Sequence, residues 1–183
     1  VIGRPRDAAG RDLLRPGGHI VEATAGDAGL GLALVAALRG YRLTLVVPDT
    51  TSQEKVLHLK ALGARCVLTR SDVGTGHPQH HQDLAQRIAR DEGAWYVNQL
   101  ENPADPRAHE ETTAPEIWAQ MDQRLDAVVC GVGSDGTITG LSRYFAKVAP
   151  AVELIRAGAG GAYAVSDHEA LAVVRELLRA EGI

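Results

Sequence analysis

One stretch of this chain limits its fold more than any other: residues 19–40, HIVEATAGDAGLGLALVAALRG. It reads as a short apolar strand at Ile20 and Val21, a tight turn of small residues from Ala23 to Gly29, and then a helix. In that helix Leu30, Ala33, Leu34, Ala37 and Leu38 follow the i, i+3, i+4, i+7, i+8 spacing of a buried face. A strand that runs through glycines into a helix N-terminus makes an anion site, because the N–H groups of the first helical turn have no intrahelical acceptor. The glycines Gly26, Gly29 and Gly31 do not match the G-x-G-x-x-G spacing of a dinucleotide site, and no Gly-Lys-Ser/Thr follows to make a phosphate P-loop. What remains is a turn of backbone donors with Thr24 and Asp27 as side-chain partners, suited to a small carboxylate or an aromatic hydroxyl. Equally, Asp27 reads as the N-cap of an ordinary α/β turn.

Further along, strands and helices alternate. Residues 7–14 read as a helix end, and Arg15-Pro-Gly-Gly18 as a turn. A strand at 42–47 stops at Pro48; Thr51 and Glu54 form a capping box for a helix that carries Val56, Leu59 and Leu62 inward and ends at Gly63. A strand follows at 65–69, a loop at 71–78, a helix at 80–92, a strand at 94–99 and a helix at 108–121. Repeated units of this length predict an α/β fold, an open, twisted, mostly parallel sheet with helices on both faces. Ligands in such sheets bind at the carboxyl ends of the strands.

A second informative stretch repeats the first one's design. Residues 125–130 (LDAVVC) form an apolar strand, followed by Gly131-Val-Gly-Ser-Asp-Gly-Thr-Ile-Thr-Gly140 and a helix to Val148. Hydroxyls at Ser134, Thr137 and Thr139 beside a helix N-terminus suit a phosphate. Two anion sites on one sheet edge suggest a single ligand with two polar ends. Residues 152–156 read as another strand, 157–162 as a featureless Gly/Ala run, and Ser166 with Glu169 as the cap of a last helix.

Composition excludes several classes of function. The 183 residues are 45% hydrophobic with 20 glycines and a net charge of -4, which is ordinary for an α/β protein and provides no basic stripe for nucleic acid. No apolar run is long enough to span a membrane, and the N-terminus lacks a signal-peptide pattern. Cys66 and Cys130 lie in apolar strands, which predicts buried thiols in a reducing, cytoplasmic setting. His77, His80 and His81 have no neighbouring Cys or paired carboxylate, so no metal site is expected. His109 is expected to cap or to satisfy a loop hydrogen bond, Trp95 and Trp118 to be core or groove aromatics, and Tyr41 to pack beside the first helix.

Several motifs occurring in one order resemble a known family. Glu22-Ala-Thr-Ala-Gly-Asp-Ala-Gly29, Gly40-Tyr41, Ala61-Leu-Gly-Ala64, Asn102-Pro-Ala-Asp-Pro106 with His109, Thr112-Thr-Ala-Pro-Glu-Ile117 and residues 131–140 resemble the cysteine synthase and cystathionine β-synthase group of fold-type II pyridoxal-phosphate (PLP) enzymes. The resemblance implies a β-replacement or β-elimination on a serine-derived amino acid, O-acetylserine or serine, with sulfide or a thiol, in a cytoplasmic homodimer. It assigns the substrate to Thr24, Ala25, Gly26, Asp27, Ala28 and Gln99. The cofactor falls to Asp27, Gly133, Ser134, Asp135, Gly136 and Thr137. It also implies a smaller substrate-loop half at about 20–100 and part of a larger phosphate-binding half at about 101–183.

Where the chain departs from the family pattern, the departures fall on the chemistry. Alanines at 25 and 28 replace a serine and a threonine, removing two hydroxyl donors. Asp27 stands for an asparagine and Asp135 for a glycine, so each puts a carboxylate beside an anion. The Schiff-base lysine is expected a few residues before Val1, since Asp12-Leu-Leu-Arg-Pro-Gly17 matches the segment that follows it. Lys55, Lys60 and Lys147 read as solvated helix charges. The family's segments after Arg156 and its pyridine-nitrogen turn, expected after Ile183, are not matched either. Two explanations stand: segments missing from the sequence, or an inactive remnant that serves as a binding or regulatory module.

Overall fold

The computed structural model describes residues 14–24, 26–131 and 133–157. The expectations for residues 7–13, the run at 158–162 and the last helix fall outside them. The first half contains β1 (His19–Ala23), α1 (Asp27–Arg39), β2 (Arg42–Pro48), α2 (Gln53–Ala61), β3 (Arg65–Thr69), α3 (His81–Asp91) and β4 (Trp95–Tyr96). The four strands form one parallel sheet in the order β3-β2-β1-β4. Strand order therefore reverses beside β1, with β2 and β3 on one side and β4 on the other. Ile20, Leu43, Leu45 and Val47 pack with Leu32, Ala33 and Ala36 of α1 and with Val56 and Leu59 of α2. On the opposite face Val21 and Val46 pack with Ala85 and Ala89 of α3. Burial on both faces is why these strands are Val- and Leu-rich rather than alternating.

After Tyr96 the chain makes a compact turn. Asn98 takes φ 48°, a left-handed value that asparagine tolerates, and the N–H groups of Glu101 and Asn102 donate back to its carbonyl. Asn102 then bridges two segments: its amide donates to the Val97 carbonyl at 2.8 Å and its side-chain oxygen accepts from the Ala104 N–H at 3.0 Å. That contact starts α4 (Ala104–Ala108), which runs through a π-helical turn (His109–Thr113) into α5 (Ala114–Gln120). β5 (Ala127–Gly131), α6 (Gly136–Val148) and β6 (Glu153–Ala157) follow, and β5 pairs with β6 in parallel. Leu141 and Phe145 of α6 are buried with Ala114 and Val152, and the rings of Trp118 and Tyr144 meet Phe145 edge-on at 5.8 and 5.3 Å.

Several expectations are corrected. The buried face of α1 is Gly29, Leu32, Ala33, Val35 and Ala36, whereas Leu34 and Leu38 are 49% and 77% exposed. In a run as uniformly apolar as residues 30–38, spacing alone does not set the phase. The cap of α2 is Ser52, which accepts from the Lys55 N–H at 3.4 Å; the Thr51 hydroxyl is buried without a partner. The strand expected at 94–99 is only Trp95–Tyr96, because Val97 leads directly into the Asn98 turn. The helix expected at 108–121 begins four residues earlier and widens at His109–Thr113. Pro115 has no N–H for the Glu111 carbonyl, and the Ala114 N–H reaches back to His109 instead. Cys66 and Cys130 are free thiols but only half-buried.

α6 lies against the π-helical turn with almost no separation. A Cβ on Gly140 would stand 2.6 Å from His109 Cβ, 2.8 Å from the Glu110 nitrogen and in closer conflict still with the Pro106 carbonyl oxygen. Two of these three neighbours are backbone, so a side chain forces the helices apart. Gly140→Ala is expected to cost about 1–3 kcal/mol, read as a lower denaturant midpoint at unchanged m-value. A midpoint equal to wild type would mean that the helices do not approach this closely.

Candidate active site

The carboxyl ends of β1 and β4, where the strand order reverses, enclose a cavity of about 220 Å³. Such a switch point is where open parallel sheets leave room for a ligand. β1 contributes Glu22, Ala23 and Thr24; the segment around β4 contributes Tyr96, Asn98, Gln99 and Leu100; Pro48, His81 and Gln82 complete the wall. Of the residues singled out in the sequence, Thr24 and Gln99 share this cavity. Thr24 Oγ1 accepts from the Gly26 N–H at 3.2 Å, which leaves its own proton to donate. Gly26 is the N-cap of α1 with no side-chain cap bond, and Asp27 is the first helical residue rather than the N-cap. Ala28 follows within the first turn of α1, and Ala25 lies outside the described residues.

Glu22 is the residue that pattern reading missed. Its carboxylate is 1% exposed, accepting from the Ala23 N–H at 2.8 Å and from the Gln99 N–H at 3.0 Å. One side chain thus ties the strand that enters the first turn to the loop that carries Gln99. The available signal was a charged residue inside an otherwise apolar strand, HIVEA. Burial, reinforced by the charges of Glu22, Glu101 and Asp83, pushes the Tyr96 phenol up to about 12, so it enters the cavity as a neutral hydroxyl. Burial, helped by the charge of His80, also holds the His81 imidazole below its usual range, against the opposing pull of Asp83.

The second turn is built differently. Gly133, Ser134 and Asp135 connect β5 to α6, with Gly136 and Thr137 opening the helix. Asp105, 3% exposed on α4, accepts from the Ser134 hydroxyl at 2.7 Å, and its Cγ would lie 2.5 Å from a Cβ on Gly136. His109 spans Thr113 Oγ1 at 3.0 Å and Thr137 Oγ1 at 3.3 Å. Asp135 makes no cap bond; its Oδ1 accepts from Arg156 Nη2 at 3.0 Å. None of Gly133 to Thr137 lines the cavity at β1 and β4. The expectation of two anion turns on one sheet edge is corrected accordingly: β1 and β5 belong to two separate sheets among the described residues. A continuous path of short contacts still joins the regions, from Val97 through Asn102 to Ala104 and Asp105 and on to Ser134.

The comparisons with known proteins match this architecture. Residues 6–157 match the family model described as pyridoxal-phosphate dependent enzyme. The chain belongs to that family. It is 44% identical to cysteine synthase A of Escherichia coli (strain K12) over 150 residues, covering 81% of this chain and 46% of that protein. It is 38% identical over 151 residues to cystathionine beta-synthase of Apis mellifera, covering 82% of this chain and 30% of that one. A crystal structure of O-ureido-L-serine synthase superposes with a TM-score of 0.79 at 38% identity, covering 85% of this chain and 48% of that one. The chain therefore spans about half the length, or less, of the relatives it matches.

The residues present fit the cofactor that gives the family its name. Two helices of 13 residues, α1 and α6, begin without a side-chain cap bond from the N-cap residue to their first-turn N–H groups. At the second, the Thr137 hydroxyl joins them, and the Asp135 carboxylate is bonded to Arg156 instead of to the turn. Among the described residues no group of three His, Cys, Asp or Glu is placed to hold a metal, and no helix is long and apolar enough to cross a membrane.

Two expected outcomes follow from Glu22. Glu22→Ala strands two half-buried N–H groups and is expected to cost about 2–3 kcal/mol in equilibrium urea unfolding; a loss below about 1 kcal/mol would remove Glu22 from its tying role. In Glu22→Gln, loss of the negative charge is expected to lower the Tyr96 midpoint in a spectrophotometric pH titration. An unchanged midpoint would mean that Glu22 places no charge on the cavity wall.

Proposed function

We propose that this chain carries the substrate-holding and phosphate-holding turns of a PLP-dependent enzyme acting on a serine-derived amino acid. The reaction is β-replacement or β-elimination on O-acetylserine or serine, with sulfide or a thiol as the incoming group. The observation that carries this reading is the cavity at the β1/β4 switch point, which Thr24 and Gln99 share with a neutral Tyr96 hydroxyl. The hydrogen-bonding groups that Thr24, Tyr96 and Gln99 bring to its wall suit an amino acid, and the printed names of the relatives point the same way.

Each turn has a separate task. The first-turn N–H groups of α1, with Gly26, Asp27, Ala28 and the Thr24 hydroxyl, bind the substrate carboxylate. Gln99, whose backbone is fixed by Glu22, orients the amino acid across the cavity. The first-turn N–H groups of α6, with Gly133, Ser134, Asp135, Gly136 and the Thr137 hydroxyl, hold the cofactor phosphate. The bound cofactor supplies an electron sink for charge developing at the substrate α-carbon. Lys55 and Lys60 lie on α2 and Lys147 is paired with Glu110 at the end of α6; the reactive amine is, by the family resemblance, a lysine outside this chain. The division at about residue 101 into a substrate half and a phosphate half is supported by the two sheets. A cytoplasmic homodimer completes the reading, with the two free cysteines in favour of the compartment.

A second reading, a non-catalytic module that keeps the fold, is favoured by one observation: the Ser134 proton is committed to Asp105 and not to a ligand. PLP titration followed by absorbance separates the two. The enzyme reading expects saturable uptake and, in the protein that contains the lysine, formation of cysteine from O-acetylserine and sulfide. Thr24→Ala and Gln99→Ala are each expected to raise KM for the amino acid about five- to tenfold with a smaller change in kcat. Absence of PLP uptake favours the module, and an unchanged KM in both variants would remove the substrate from this cavity.

A further inference from the structure

Asp135 carries the wrong charge for an anion site, at the tightest point of the turn. It is the N-cap residue of α6, with φ 59°, and its carboxylate makes no cap bond to the first turn. Parallel pairing determines what it meets. The register sets Cys130 opposite Arg156 and Gly131 opposite Ala157, so Arg156 sits at the carboxyl end of β6, beside the chain as it leaves β5 for the turn. Arg156 Nη2 donates to Asp135 Oδ1 at 3.0 Å, and the two side chains are 47% and 55% exposed. Both remain in reach of a ligand arriving from solvent. Two other titratable groups touch the turn: Asp105, buried, accepts from the Ser134 hydroxyl and fills the space beside Gly136, and His109 meets the Thr137 hydroxyl.

We propose that Arg156 is a positioning residue of the anion-binding turn: it draws the Asp135 carboxylate toward β6 and offsets its charge, so that the N–H groups opening α6 donate to a phosphate despite the aspartate. The inference rests on the reading of this turn as the phosphate site. It explains how the chain carries an acidic residue where its relatives' pattern has glycine, through one compensating residue about twenty positions away that parallel pairing alone brings alongside.

A charge cycle on the 183-residue chain tests it, with dissociation constants for PLP and for inorganic phosphate as readouts and unfolding midpoints as a control. Arg156→Ala is expected to weaken both ligands about two- to fivefold, the range open to a solvent-exposed pair, with the unfolding midpoint little changed. Arg156→Lys is expected to restore most of the affinity, and high salt to shrink the difference. In the Asp135→Asn background, Arg156→Ala is expected to change affinity less than in wild type. Equal affinity in wild type and Arg156→Ala overturns the inference, as does an equal loss in both backgrounds, which would make Arg156 a direct ligand contact. A wild-type chain that binds neither PLP nor phosphate overturns the phosphate-site reading together with the inference.

Discussion

Glu22 places a carboxylate in the centre of a parallel sheet, and the shape of the cavity depends on how that charge is accommodated. Removing an ionised group from water is expensive unless hydrogen bonds replace the lost solvation. Here the replacements are the Ala23 and Gln99 N–H groups, one on each side of the strand-order reversal. Neither has a strand neighbour to bond at that point: β4 ends at Tyr96, and the chain has already turned away. The acid thus ends the sheet at its carboxyl edge and leaves a gap there instead of a continued ladder. The same charge helps keep the Tyr96 hydroxyl protonated, so the gap holds a neutral phenol beside the Glu22 carboxylate.

The second turn depends on backbone proximity. α6 touches the π-helical turn at Gly140 closely enough to exclude a side chain, and at Gly136 the Asp105 carboxylate fills the space that a Cβ would take. With the helix axis fixed, Ser134 and Thr137 have defined partners in Asp105 and His109. The widening at His109–Thr113, forced by Pro115, brings His109 against both Thr113 and Thr137. Asn102 carries the rigidity back to the first sheet through Val97, so the two turns are parts of one hydrogen-bonded framework even though they lie on different sheets.

Much of this was legible in the chain. The alternation of apolar strands with helices of regular length, the glycine-rich turns after residues 23 and 131, and the stops at Pro48 and Gly63 are local features, and local sterics enforce them. Thr24 was identifiable because it follows a strand in a position that parallel sheets reserve for ligands, whereas Gln99 came from the family resemblance alone. Less legible was anything that required a phase or a partner. Residues 30–38 are apolar at nearly every position, so the face of α1 that meets the sheet is chosen by Leu45 and Leu59 across the interface. The Thr51 and Ser52 hydroxyls are equivalent as cap candidates until the backbone aims one at the Lys55 N–H.

The sequence by itself determined the fold class and the two turns, because propensity, glycine placement and strand periodicity act over a few residues, and its ordered motifs carried the family resemblance. Only the tertiary structure decided what those turns contain. Glu22 meets Gln99 across 77 residues, Ser134 meets Asp105 across 29, and Arg156 meets Asp135 across 21. In each case the partner is chosen by strand order, register or helix contact, so the charge that looked misplaced in the sequence was answered by a residue that only the assembled sheets bring into reach.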